Sequence, residues 1–284
     1  MDARATGTIL DVIVSDRRVR LAQDRNARPE SRLRDLVAMA PPAVDFAARL
    51  REGRRATPAG ARLRLIGEVK RASPSKGVFD ADLDASKQAL AYAAAGAAAI
   101  SVLTEPDHFK GSLADLEAVR AAFGDDPDRP AVLRKEFIFD PYQVIEARAA
   151  GADALLLIVM MLEPLALASL LAQTYALGMQ ALVEVHDEAE MHAALAAGAT
   201  VLGVNNRDLR TFKEDLGTTE RVASLVPSNV TLVAESAIRT AADARRMAAC
   251  GAHALLVGEA LVTTGNIAGK ARELMLVDDS EVRA

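Results

Sequence analysis

A repeat constrains this chain more than any other feature. "AAAGAAAISVL" (93–103), "RAAGADALLLIV" (148–159), "LAAGATVLGVN" (195–205) and "MAACGAHALLVG" (247–258) share one form. Each is an alanine-rich stretch that ends at a glycine (Gly96, Gly151, Gly198, Gly251) and runs on into β-branched and leucine-rich residues. "YALGMQALVEV" (175–185) is a looser copy around Gly178. Alanine-rich stretches favour helix. A glycine just past a helix end takes the left-handed cap conformation without the steric cost of a Cβ. A continuous apolar run after it suits a strand buried on both faces, as in a parallel sheet. Parallel neighbours need a crossover, and the helix of each unit supplies one.

Adding the strands that lack the repeat glycine gives eight, near 63–70, 98–103, 131–136, 154–159, 181–185, 200–204, 230–234 and 253–257. With one helix between each pair, the span from about 60 to 275 predicts an α/β fold, a (β/α)8 TIM barrel. A doubly wound open sheet is the alternative; no G-x-G-x-x-G follows the first strand to support it. Ahead of the barrel, residues 1–55 predict two extra helices. "TILDVIVSDRRVRLAQ" places Ile9, Leu10, Ile13 and Val14 at helical spacing, and "VDFAARLREG" does so with Phe46 and Leu50 before a stop at Gly53. Both are expected against one mouth of the barrel, as plug or lid. "NARPESR" between them reads as exposed loop and the tail "VDDSEVRA" as frayed. The whole chain, 1–284, is expected to form one domain.

Composition narrows the function. With 51% hydrophobic and 26% charged residues, the chain has the balance of an ordinary globular protein. A net charge of -5 gives no basic face for nucleic acid. The lone Cys250 excludes an internal disulfide and a cysteine zinc site, and four scattered histidines lack metal-ligand spacing. Each histidine reads as a surface or loop residue. No run is long enough to span a membrane, and the first residues lack the pattern of a signal peptide, so a cytoplasmic location is expected.

Charges collect where the strands end. "RLIGEVKRASPSKG" carries Glu68 and Lys70 on one face, because strand side chains alternate. "AVLRKEF" carries Arg134, Lys135 and Glu136; "ALVEV" carries Glu184; "VLGVNNRD" carries Asn205, Asn206, Arg207 and Asp208; "TLVAES" carries Glu235 and Ser236. In a parallel barrel these ends share one rim, where barrel active sites form. Lys135 shares a face with Leu133, and Glu184 with Leu182, so both are expected to point inward. Clustered acids and bases perturb one another's pKa and suit proton transfer. "AESAIRT" and "LVGEAL" are strand–turn–helix junctions of the kind that binds phosphate after strands seven and eight, through backbone N–H groups near Ser236, Ala237, Gly258 and Glu259.

At these residues the chain resembles the indole-3-glycerol phosphate synthase family. "GEVKRASPSKG", "SVLTEPDHFKGS", "LRKEFIFDPYQVIEARAAGADALLLI", "LVEVHDEAEM", "GVNNRDLRTF" and "VAESAI" are similar to that family's signature segments, over about residues 60–265, and "ILDVIVSDRR" is similar to its extra helices. The resemblance implies conversion of 1-(2-carboxyphenylamino)-1-deoxyribulose 5-phosphate to indole-3-glycerol phosphate, in tryptophan biosynthesis. The small phosphorylated substrate would be the partner, with no metal or organic cofactor and no obligate protein partner. It further implies that Lys135 is the general acid and Glu184 the acid/base of the later steps. Lys70 would bind the substrate carboxylate, with Glu68 orienting it. Asn205 and Glu235 would bind hydroxyls, Arg207 would support them, and Ser236 would lie beside the phosphate. Ser73 would sit on a mobile first loop, with Phe109 and Leu156 against the anthranilate ring. One departure is visible: the family usually has glycine where this chain has Ala237. Two other functions remain, a related barrel acting on another phosphorylated sugar and a non-catalytic subunit. The Glu68-x-Lys70-x-x-Ser73 block argues against the first, and intact Lys70, Lys135 and Glu184 against the second.

Overall fold

The structure is a computed structural model that describes residues 3–52, 56–57 and 60–277. Its centre is a closed barrel of eight parallel strands: β1 (Arg64–Val69), β2 (Ala99–Leu103), β3 (Ala131–Lys135), β4 (Ala154–Ile158), β5 (Gln180–Val185), β6 (Val201–Asn205), β7 (Thr231–Glu235) and β8 (Ala254–Val257). β8 pairs back to β1, with Leu255 opposite Leu65, which closes the ring. All eight lie where the apolar runs predict them. The strands are buried almost throughout, as a sheet covered on both faces requires.

The barrel's outer helices include α4 (Ala85–Ala94), α5 (Leu113–Phe123), α6 (Pro141–Ala149), α7 (Pro164–Ala176), α8 (Glu188–Ala196), α9 (Gly217–Val222) and α10 (Ala241–Ala249). The repeat glycines do what the pattern requires. Gly96, Gly151, Gly198 and Gly251 have φ of +93°, +88°, +90° and +88°. At the first, Ala97 N–H reaches back to Tyr92 O and Gly96 N–H to Ala93 O, the paired bonds of a Schellman cap. The chain then turns directly into β2. After β8 come two helices rather than one, α11 (Glu259–Val262) and α12 (Ile267–Leu274).

The N-terminal region departs from the sequence expectation in two ways. It holds three helices, α1 (Ile9–Ala27), α2 (Glu30–Met39) and α3 (Phe46–Arg51). "NARPESR" is therefore not a loop: its first residues close α1, its last open α2, and the turn between is short. α2 was hard to read because Leu33 is its only fully buried side chain; it packs on α6 through a narrow face. The helices also occupy opposite ends of the barrel, not one mouth. α1 lies at the C-terminal end, where Ile9, Leu10 and Ile13 face the central cavity. α3 closes the N-terminal end with Phe46 and Leu50, both fully buried. It is tied there by Ala47 N–H to Gln180 Oε1 and Arg51 Nε to Thr231 Oγ1, at the starts of β5 and β7. Gly53 and residues 278–284 lie outside the described residues.

Candidate active site

One cavity, open at the C-terminal end of the barrel, is lined by every residue expected at the site. Glu68, Lys70, Lys135, Glu184, Asn205 and Glu235 rise from the strand ends; Ser73, Phe109, Arg207, Ser236, Ala237, Gly258 and Glu259 come from the loops, and Leu156 from the wall. Arg134, one residue from Lys135, points the other way. Its guanidinium is buried against α6, 2.7 Å from Glu146. Asn206 also faces away from the cavity, and its amide accepts from Thr219 and donates to Glu235 O. Strand alternation thus sorts the rim charges into two sets.

The inward set is a compact ionic cluster. Lys135 Nζ donates to Glu235 Oε2 at 2.6 Å and lies 3.5 Å from Glu184 Oε2. Lys70 Nζ is 2.5 Å from Glu68 Oε1. Asn205 Nδ2 donates to Glu184 Oε1 at 3.0 Å. Two glycines make room for these groups. A Cβ at Gly203 would run into Glu235 Oε1, and one at Gly258 would sit 2.5 Å from Glu68 Oε1. Glu235 Oε1 is buried without a hydrogen-bond partner among the described residues. An orphan acceptor of this kind is costly unless a ligand supplies the donor.

Burial and neighbouring charge divide the protonation states. Burial opposes the charge on Lys135, but Glu235, Glu184 and Glu68 outweigh it and hold the ammonium above the ordinary lysine range. Burial also opposes ionisation of Glu184, yet Lys135 and His186 hold it down at about 2. Glu235 goes the other way. Burial pushes it up to about 7, against the pull of Lys135 and with the repulsion of Glu184. A firmly charged cation, a firmly ionised carboxylate and a carboxyl that takes a proton near neutrality therefore stand side by side, an arrangement suited to general acid–base work.

The loops complete the walls. Buried Glu105 accepts from the backbone N–H groups of Asp107, His108 and Phe109, which fixes the turn that presents Phe109. The Phe109 ring lies 5.9 Å from that of Phe137. In the first loop, Ala72–Ser73 and Gly77–Val78 pair as a small hairpin. Arg71 anchors its base through both guanidinium nitrogens to Asp115, at 2.7 and 2.9 Å. On the opposite side, Arg207 reaches Ser75 Oγ at 3.0 Å, and Glu214 bridges Arg207 and Arg239 at 2.5 Å each. Ser236 and Ala237 both have positive φ, 64° and 62°, which turns the chain sharply after β7.

Several lining residues escaped the sequence reading: Ile9, Leu10 and Ile13 on α1, and Phe137, Phe212 and Arg239 on loops. The apolar periodicity of α1 was visible, but not the end of the barrel it covers. His186 lies in the bend after β5, the loop position expected of it, but its side chain is buried. Its side chain is 8% exposed, beside Glu184 and Glu190, not on the surface. The signal was present as His186 and Glu190 four apart at the start of a helix. Among the described residues, no group of three or more His, Cys, Asp or Glu is arranged to hold a metal ion.

Comparison with known proteins agrees with this geometry. The family model for indole-3-glycerol phosphate synthase matches residues 10–274. An indole-3-glycerol phosphate synthase of Roseiflexus sp. (strain RS-1) is 51% identical, over 94% of this chain and 98% of its own length. One from Dehalococcoides mccartyi (strain CBDB1) is 47% identical, over 94% and 100%. A multifunctional tryptophan biosynthesis protein of Schizosaccharomyces pombe is 45% identical over 98% of this chain but only 36% of its own. Among solved structures, 3-hexulose-6-phosphate synthase from Salmonella typhimurium superposes with a TM-score of 0.60 at 17% identity, over 76% of this chain and 98% of the other; that likeness concerns the fold alone. The family match runs from the helix over the cavity to the last helix of the barrel and takes in every strand that carries the site, so the chain belongs to the indole-3-glycerol phosphate synthase family.

Proposed function

We propose that this chain converts 1-(2-carboxyphenylamino)-1-deoxyribulose 5-phosphate to indole-3-glycerol phosphate in the cavity described, with Lys135 as general acid. The observation that carries the assignment is the position of Lys135 Nζ within the cavity, 2.6 Å from Glu235 and 3.5 Å from Glu184. Ring closure joins an aromatic carbon to the substrate's carbonyl carbon, and the carbonyl oxygen must then take a proton. The Lys135 ammonium donates it. Carbon dioxide leaves from the same aromatic carbon, and the electron pair of the broken bond returns to the ring. Dehydration needs an acid for the departing hydroxyl and a base for the ring-side proton. Glu184, held ionised, is the base, and reprotonated Lys135 or Lys70 is the acid.

Binding follows the same chemistry. Lys70, oriented by Glu68, pairs with the substrate carboxylate. Glu235 Oε1 accepts from a sugar hydroxyl, and Asn205 supports it, with Arg207 beside them. Phe109 and Leu156 contact the anthranilate ring, and Ser73 closes over it with the first loop. The phosphate rests on the backbone of Ser236, Ala237, Gly258 and Glu259. Glu259 is an unusual carboxylate for such a place; Lys76 at 3.6 Å and Arg207 at 3.8 Å offset its charge. We further propose that residues 1–284 act as one unit in the cytoplasm, without a partner chain. Relatives matched over 98% and 100% of their own length support the single unit.

The test is direct. Purified chain is mixed with the substrate in the presence of a chelator, and indole fluorescence is followed. Product is expected to accumulate; none over many enzyme equivalents of substrate would overturn the assignment.

A further inference from the structure

We infer that His186, braced by Glu190, is a positioning residue that keeps Glu184 ionised and aimed at Lys135. The inference deepens the proposed role of Glu184 and rests on it.

The geometry comes from two adjacent elements. Glu184 is on β5 and His186 follows the strand's last residue, two positions on, so the two side chains meet on one side of the chain. Glu190 sits in the first turn of α8, four residues on. Its Oε2 accepts the backbone N–H of His186 at 2.9 Å and meets ring Nδ1 at 3.0 Å. One carboxylate oxygen therefore fixes both the backbone and the ring of His186. That places a proton on Nδ1 and turns Nε2 toward Glu184 Oε1, 3.4 Å away. At that separation the contact is an ion pair rather than an aligned hydrogen bond, and Nε2 has no hydrogen-bond partner among the described residues. A buried polar nitrogen between two carboxylates is least costly as an imidazolium.

The other neighbours reinforce this. β6 contributes the neutral Asn205, which donates to the same Oε1 that His186 faces. The turn after β4, Val159–Met161, contributes no titratable group. β3 contributes Lys135, on the far side of Glu184 at its other oxygen, Oε2. On the outer side, Glu190 shares a surface pocket with Arg4, Asp187 and Arg210. So Oε1 of Glu184 is occupied by Asn205 and His186, and Oε2 alone is left for the substrate. Burial opposes the ring's charge, but the flanking Glu184 and Glu190 push His186 up to about 10, so it stays a cation through the working range.

Glu184 meets two cations, Lys135 at Oε2 and His186 at Oε1. Removing His186 takes one of them away, and Glu184 then takes up a proton more readily. A base that must be ionised loses activity as pH falls, so the acidic limb of kcat moves to higher pH.

Three measurements test this. In wild type, nitrogen NMR of labelled His186 is expected to show an imidazolium at pH 7.5; a neutral ring would overturn the inference, whatever the activity. In His186→Gln, the acidic limb of kcat is expected to move up by about one pH unit or more from its low wild-type position, with turnover at neutral pH and KM little changed. A limb left in place, or a loss equal at every pH, would overturn it. Glu190→Gln is expected to shift the limb the same way by less, since the ring keeps one carboxylate. Glu184→Gln separates the two readings. If it turns over like wild type, the role of Glu184 fails; if it is inactive while His186→Gln leaves the limb in place, the role of His186 fails.

Discussion

At the scale of single residues, Ala237 is the informative departure. Its φ of 62°, next to Ser236 at 64°, puts a methyl-bearing residue in the region where Cβ crowds the carbonyl oxygen. That conformation costs an L-residue about 1 kcal/mol or more, which glycine avoids. The turn is imposed by the need to bring β7 into the next helix beside the proposed phosphate site. Ala237→Gly is therefore expected to stabilise the fold by up to about 1 kcal/mol, read from denaturant unfolding. The backbone N–H stays in place, so KM for the phosphorylated substrate should change by less than about ten-fold, or 1.4 kcal/mol. A substrate affinity hundreds of times tighter in the glycine variant would contradict this. Ala237 was recognisable in sequence as a departure, but the sign of its φ was not, because that depends on how the loop closes.

At the scale of elements, the three N-terminal helices divide the labour by location. α1 supplies Ile9, Leu10 and Ile13 to the cavity and is pinned to the barrel by charge. Buried Arg17 lies 3.4 Å from Glu136, the neighbour of Lys135, and His108 meets Asp16 at 2.9 Å. α3 has no side chain in that cavity; it caps the other end. Phe46→Ala should lower unfolding free energy by about 3–5 kcal/mol, with KM little changed in protein that remains folded. Ile13→Ala should raise KM several-fold, because it removes part of the cavity wall. Steady-state kinetics and unfolding curves on both variants check this, and a reversal of the two effects would refute the division. The barrel itself was legible because each buried strand is a continuous apolar run behind a helix and a glycine. α2 was not, since one buried leucine on ten residues leaves little periodic signal. Nor could periodicity tell one mouth from the other: both ends of a barrel offer apolar surface to a helix.

At the scale of the whole molecule, eight parallel strands bring every strand end to one rim, so residues as distant in sequence as Glu68 and Glu235 meet around Lys135. The glycines at 203 and 258 hollow the interior at the two points where carboxylates must enter it. The inward charges were readable from alternation along each strand. Their mutual distances needed the closed ring. Everything in the proposed chemistry passes through the Lys135 ammonium, so the rate of its removal variant is the most direct measurement. With substrate and chelator present, the initial rate of indole fluorescence is compared between wild type and Lys135→Ala, at matched thermal stability. Wild type should turn over and Lys135→Ala should be slower by about 10²–10⁴-fold; a variant as fast as wild type would contradict Lys135 as the general acid.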